Sequence, residues 1–262
     1  MITLKRHAAL VTGSTKGVGR AIAIAFAEAG ADVVIHGRTM SDEARETMEQ
    51  CRRHAVRVAF VAGDLSGPGE AAVNKVFADA TAAHDGIDIL VNNAGQYFDV
   101  PFLEMDIERF ERTMRLNVAS GYFLTQRFAR RWIERKTAGR VLFIGSINGR
   151  LAEPLSTAYD TSKGAVEMMV RTLAVELAPR GIRVNGLAPG LVRSASTAWL
   201  DSRPAKAAWI ASHTPDRQIP DASVCGPGAV YLVSDAAQHV HGHMLLIDGG
   251  MSALQQPEPP AT

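Results

Sequence analysis

Residues 7–30 read HAALVTGSTKGVGRAIAIAFAEAG, and this stretch decides the fold. The opening HAALVTG has the apolar, β-rich character of a strand running into a turn. In the segment that follows, Val18, Ile22 and Phe26 recur at four-residue spacing, as on one face of a helix, and Gly30 stands where a helix stops. Between strand and helix lies TGSTKGVG. Gly13, Gly17 and Gly19 allow a sharp turn and a close approach of the backbone to a pyrophosphate. The helix start adds free N–H groups and the positive end of the helix dipole. The spacing is G-x-x-x-G-x-G rather than the commoner G-x-G-x-x-G.

The strand–helix alternation continues outward from this turn. ADVVIHG, VRVAFVAG, IDILVNNAG, RVLFIGS, IRVNGLAPG and HMLLIDGG read as further strands. Helical stretches lie between them, at 42–53 behind a Ser41 cap, at 70–83 and at 106–136, with another around Tyr159. Apolar strands alternating with helices predict an α/β protein whose parallel sheet is covered on both faces. Residues 191–224 are less regular and are expected to form a loop or small helices over a site. Residues 252–262 read as a disordered tail.

Composition narrows the function classes. The chain has 262 residues, is 47% hydrophobic and carries a net charge of +1, so nothing favours a polyanion partner such as nucleic acid. No apolar run reaches membrane-spanning length, and the N-terminus does not read as a secretion signal. Two cysteines, Cys51 and Cys225, make neither a disulfide framework nor a metal motif and suit a reducing, cytoplasmic setting. His239, His241 and His243 alternate, as metal ligands on a strand face can, but no carboxylates accompany them, and no metal is expected.

The cofactor is read from the end of the second strand. Gly37 stands where an acidic residue would bind a ribose 2′-hydroxyl, and Arg38 follows it. Together with Lys16, Arg38 favours the 2′-phosphate of NADP, since a guanidinium can hold a phosphate through paired hydrogen bonds. NAD stays possible, with Arg38 stacked on the adenine.

The chain resembles the short-chain dehydrogenase/reductase family. The resemblance rests on TGSTKGVG, on NNAG at 92–95 and on Asn117 in RLNVAS. Ser146 in FIGSING, Tyr159 with Lys163, APG at 188–190 and the closing IDGG complete it. It is similar to 3-oxoacyl reductases and to glucose dehydrogenase-like members. The resemblance implies one Rossmann-type doubly wound domain over residues 1–251, about seven parallel strands, a homotetramer and a cytoplasmic enzyme. It further implies that Gly13, Ser14, Thr15, Lys16, Gly17, Val18 and Gly19 line the cofactor. Arg38, Asp64, Leu65, Asn93, Ala94, Gly95, Pro189, Gly190, Val192 and Ser194 join them. Asn117, Ser146, Tyr159 and Lys163 are the implied catalytic set, with Lys163 also binding the nicotinamide ribose. An asparagine at position 117 is expected to bend its helix and hold water that connects the lysine to solvent.

Tyr159 and Lys163 lie one helical turn apart and share a face. A free phenol has a pKa near ~10, and a neighbouring ammonium is expected to lower it towards the working pH. Ser146, after a strand, can orient a substrate oxygen beside that phenol. The expected activity is hydride transfer between NADP(H), or NAD(H), and a carbonyl or secondary alcohol, with Tyr159 as the general acid/base. The alternatives are a catalytically silent dinucleotide-binding sensor or scaffold of the same fold, and a methyltransferase on the same sheet type. The latter has no use for Tyr159 and Lys163. Substrate choice falls to Gln96, Asn148 and the segment 193–220. Sugars or polyols, 3-oxoacyl thioesters and small ketones or steroids all remain open.

Overall fold

The computed structural model describes residues 2–255. Seven strands form one sheet: β1 (Ala8–Val11), β2 (Asp32–Gly37), β3 (Val58–Ala62), β4 (Ile89–Asn92), β5 (Arg140–Ile144), β6 (Arg183–Pro189) and β7 (Met244–Ile247). Their order is β3-β2-β1-β4-β5-β6-β7, and every neighbouring pair is parallel. The chain winds outward from β1 in one direction, then returns to start again at β4. The switch between β1 and β4 opens a crevice at the carboxyl ends of the strands, where ligands bind in folds of this kind.

Successive strand residues point to opposite faces. Ala8 and Leu10 of β1 join one core with Leu90 of β4, while Ala9 and Val11 join the other with Ile89 and Val91. Both faces are therefore apolar, which is why the strands read as unbroken hydrophobic runs. On the first face pack α3 (Ala71–Ala83), α5 (Ser120–Arg135) and α6 (Thr157–Leu177), through Val76, Phe128, Trp132 and Val170. On the other pack α1 (Gly17–Glu28), α2 (Asp42–Arg52) and α9 (Cys225–Val233), through Ile22, Phe26, Met48 and Val233. Trp132 is fully buried, and its indole N–H still finds the Ile87 carbonyl at 2.7 Å.

The predicted helix at 106–136 is present but not uniform. It begins as α4 (Ile107–Met114) on an Asp106 cap, passes through a π turn at Arg115–Ala119, and continues as α5 to a left-handed Lys136. Residues 191–224 carry a 3-10 turn at Ala195–Thr197, α7 (Trp199–Ser202) and α8 (Pro204–Ser212).

Some readings need correction. His239, His241 and His243 precede β7 rather than lying on it, and no group of metal-binding side chains occurs among the described residues. Cys51 is not a surface residue of a polar helix. It faces the core fully buried, and burial pushes its thiol up to about 12. Of the expected tail at 252–262, Met251–Ala253 form a 3-10 turn tied by Ser252 N–H to Asp248 Oδ2 at 2.8 Å. Residues 256–262 lie outside the described residues. Among the described residues no helix is long and apolar enough to cross a membrane.

Candidate active site

The glycine turn is built as its spacing suggests, with a separate reason at each glycine. Gly13 and Gly17 adopt φ of +62° and +59°, a region that L side chains rarely enter. Gly19 serves close approach, since a Cβ there would lie 2.4 Å from Asn93 Nδ2. Asn93 uses that space to donate to Thr12 O at 2.8 Å and Gly13 O at 3.0 Å. Thr12 Oγ1 accepts from the N–H groups of Asn93 and Ala94. The first turn and the NNAG segment are thereby one rigid unit. Thr12 was missed in the sequence, where it read only as the residue before the first glycine.

Not every expected cofactor residue offers its side chain to the crevice. Ser14 is fully buried, its hydroxyl donates to Val11 O at 2.7 Å, and its N–H donates to His36 O at 2.9 Å. Its part is to brace the turn. Leu65 and Val192 are buried as well, and Leu65 belongs to the core. Ser194 lies over the turn, 3.6 Å from where a Gly17 Cβ would stand. Lys16 and Arg38 are exposed. Gly37 has a packing reason of its own, because a Cβ there would meet the Thr15 methyl at 2.5 Å. Asp64 Oδ1 accepts from Ser66 N–H at 2.9 Å and Ser66 Oγ–H at 2.7 Å, which holds its carboxyl below the ordinary range. Arg112 and Arg38 reinforce that shift.

The proton-transfer set converges at the carboxyl end of β5. Ser146 follows that strand, and its Oγ accepts from Asn148 N–H at 3.1 Å and donates to Asn148 Oδ1 at 3.2 Å. Lys163 is buried, donates from Nζ to Ile144 O at 2.8 Å, and holds its nitrogen 5.5 Å from the Tyr159 ring centre. Tyr159 and Lys163 thus share one face of α6 and point back to the strand that presents Ser146. Gly149 permits this closeness, since a Cβ there would lie 3.0 Å from Lys163 O. Arg150 clamps the same loop to α6 through Glu167 Oε1 and Oε2, at 2.9 and 3.0 Å.

The expected lowering of the phenol pKa is not what this arrangement produces. Burial pushes Tyr159 up to about 12, against the pull of the Ser146 hydroxyl, and Asp160, Tyr97 and Glu153 add to the rise. Burial also pushes Lys163 down to about 8. Desolvation disfavours the charged form of each group, and here it outweighs their mutual attraction.

Asn117 also differs in detail from expectation. Its side chain is occupied by protein: Oδ1 accepts from Gln96 N–H at 2.9 Å, and Nδ2 donates to Gln96 O and Ser162 Oγ, both at 2.9 Å. The helix is indeed distorted there, by the π turn. Asn117 therefore ties the segment after β4 to the helix that carries Tyr159.

A polar wall continues from Ser146. Asn148 Nδ2 donates to Asp160 Oδ1 at 2.8 Å and reaches Glu153 Oε2 at 3.4 Å, and Glu153 N–H donates to Asp160 Oδ2 at 2.9 Å. Tyr97 packs edge-on against Tyr159, with ring centres 5.9 Å apart. Nothing in its sequence context singled out Tyr97.

A doubly wound sheet with a glycine turn at its switch point, and a Tyr/Lys/Ser cluster beside it, defines a dinucleotide-dependent oxidoreductase class. Comparison with known proteins agrees. The family model described as Enoyl-(Acyl carrier protein) reductase matches residues 13–252. Glucose 1-dehydrogenase of Gluconobacter oxydans is 33% identical over 246 residues, which cover 93% of this chain and 91% of that one. The 5-keto-D-gluconate 5-reductase of Escherichia coli K12 is 34% identical over 244 residues, 92% of this chain and 94% of that one. The crystal structure of a gluconate 5-dehydrogenase from Burkholderia cenocepacia J2315, in complex with NADP and tartrate, superposes with a TM-score of 0.88. That match has 31% identity and covers 96% of this chain and 97% of the other. The chain belongs to the short-chain dehydrogenase/reductase family and is an oxidoreductase acting on CH–OH or C=O groups.

Proposed function

We propose that this chain is an NADP(H)-dependent oxidoreductase of a hydroxylated, sugar-derived ketone or alcohol, with NAD(H) as the weaker cofactor. The observation that carries the reading is the convergence of Tyr159, Lys163 and Ser146 at the end of β5, beside the hydrogen-bonding wall of Asn148, Glu153 and Asp160. That wall matches a substrate with several hydroxyl groups better than an acyl chain or a steroid. Tyr97, Gln96 and residues 191–224 complete the substrate side.

The turn residues 13–19, with Asn93, Ala94 and Gly95, would hold the phosphates and ribose of NADP(H). Arg38 and Lys16 would hold the 2′-phosphate and Asp64 the adenine edge. Pro189, Gly190, Val192 and Ser194 would line the far end. When bound, the cofactor supplies or takes the hydride. The protein supplies the rest. Ser146 holds the substrate oxygen, and Tyr159 delivers a proton to it in reduction or removes one in oxidation. Lys163 stabilises the phenolate left behind. A phenol held protonated at neutral pH is the form that reduction requires. Asn117 sets the position of α6 relative to the segment after β4.

We also assign a homotetramer in the cytoplasm. The support is a face of α4, α5 and α6 on which Ile107, Phe110, Tyr122, Met168 and Val175 are exposed, an apolar surface suited to covering by other copies. The reading is tested by NADPH oxidation with ketogluconates, ketoses, 3-oxoacyl thioesters and steroid ketones side by side. Turnover is expected with the polyhydroxylated ketones, and Tyr159→Phe is expected to bind NADPH without turning over. Turnover confined to thioesters or steroids overturns the substrate assignment, and a fully active Tyr159→Phe overturns the mechanism.

A further inference from the structure

His36 is the penultimate residue of β2, and it lies beneath the glycine turn with 3% of its surface exposed. Three hydrogen bonds join it to that turn. Two use its backbone: Ser14 N–H donates to His36 O at 2.9 Å, and His36 N–H donates to Ser14 Oγ at 3.1 Å. Any residue at position 36 can make those two. The third belongs to the imidazole, whose Nδ1 accepts from the Gly13 N–H at 3.1 Å. Because the amide is the donor, the ring proton must sit on Nε2. That Nε2 is buried and has no hydrogen-bond partner. It faces the turn after β3, 3.7 Å from where a Gly63 Cβ would stand. The ring thus spans the floor between the pyrophosphate turn and the Gly63–Asp64 turn.

We propose that His36 is a positioning residue for the cofactor: its neutral Nε2–H tautomer captures the Gly13 N–H and so presets the phosphate-binding turn. The inference rests on the dinucleotide reading of that turn. Gly13 has φ of +62°, and its carbonyl is already held by Asn93 Nδ2. With its N–H held by His36 as well, the peptide is fixed from both sides before any ligand arrives. The N–H groups that follow it at the helix start are left for phosphate oxygens. Burial pushes the imidazole down to about 4, against the Gly63 backbone and the Asp64 charge, so the accepting form persists at neutral pH. A turn that is preset loses less freedom on binding, so the gain appears in cofactor affinity and not in the chemical step.

The test uses two substitutions with opposite chemistry. An asparagine can place Oδ1 where the imidazole keeps Nδ1, while leucine offers no acceptor. His36→Leu leaves the Gly13 N–H buried and unpaired, which predicts about a tenfold rise in the NADPH Kd and KM with kcat within about twofold of wild type. His36→Asn is expected to restore the NADPH Kd to within about twofold. The preference for NADPH over NADH stays unchanged in both, because the turn serves the pyrophosphate common to the two. Equal affinity in His36→Leu and His36→Asn overturns the proposal, as does a loss confined to kcat. Wild-type protein that fails to bind NADPH overturns the dinucleotide reading and this inference with it. Should His36→Leu not fold, nitrogen NMR of histidine-labelled wild type decides: a proton on Nε2 with an accepting Nδ1 supports the proposal, and a proton on Nδ1 overturns it.

Discussion

The two ends of the sheet are built on opposite principles. At the amino end the strands start at charged groups that are fully matched. Asp88, before β4, takes the His7 ring at 2.6 Å, Arg140 at 2.8 Å and the Ala8 N–H at 3.0 Å. Arg140 also reaches Asp235 at 2.8 Å, and Asp32 takes His84 at 2.9 Å and the Arg57 N–H at 2.8 Å. Arg183 covers the carbonyls of Leu232, Val233, Ser234 and Ala237. At the carboxyl end the side chains are uncharged or carry a displaced pKa. Four buried side-chain polar atoms lack a partner among the described residues: His36 Nε2, Asn92 Oδ1, Gln96 Nε2 and Ser252 Oγ. All four lie at or just beyond carboxyl ends of strands. Unmatched buried polar groups cost stability, so their concentration at one end marks where the fold gives up stability for binding and chemistry.

The sharpest break between the two ends compares Tyr159→Phe with Asp88→Asn. The first is expected to lower kcat about a thousandfold while the urea midpoint stays near wild type. Equal activity would refute the assignment of the carboxyl end. A second measurement follows stability against pH. Burial holds Lys163 at about 8, below its ordinary value, so the folded state resists its charge. Wild type should gain stability as pH rises from about 8 to about 10.5, where the unfolded chain binds more protons than the folded one. Lys163→Met should therefore be inactive yet more stable than wild type at pH 7, by on the order of 3 kcal/mol, with the gap closing over that window. A gap that widens with pH contradicts the assignment.

Asp88→Asn is the mirror case. It removes the charge shared by His7 and Arg140 in a partly buried setting, and urea unfolding should report a loss of about 2 kcal/mol with kcat and KM unchanged. The smallest effect is expected on the exposed rim. Arg38→Ala should reduce the preference for NADPH over NADH about tenfold, read as the ratio of kcat/KM values, without altering stability.

Much of this organisation was legible in the residues. The doubly wound sheet followed from apolar strands alternating with helices, because a strand buried on both faces admits no polar alternation. The cluster of Ser146, Tyr159 and Lys163 followed from helical spacing together with the strand end before Ser146. What was not legible depended on contacts between distant segments. His36 looked like one more strand residue, because only the fold brings its ring under Gly13. Ser14 looked like a ligand contact, although its hydroxyl turns inward to Val11. The direction of the Tyr159 shift was misread because spacing gives the distance to an ammonium but not the depth of burial. Gly37 was read as a sign of phosphate preference, whereas its contact with Thr15 gives it an independent reason to be glycine.

The widened turn at Arg115–Ala119 has a consequence for how this protein can change. It amounts to one surplus residue within a helix that otherwise advances about 100° per residue. Deleting that residue to regularise the helix would rotate everything beyond it. Leu124, Phe128 and Trp132 would swing off the sheet just as Asn117 lost its grip on Gln96. The helix is therefore a ratchet with one tooth shared by scaffold and chemistry, and insertions or deletions along it must come in whole turns or not at all.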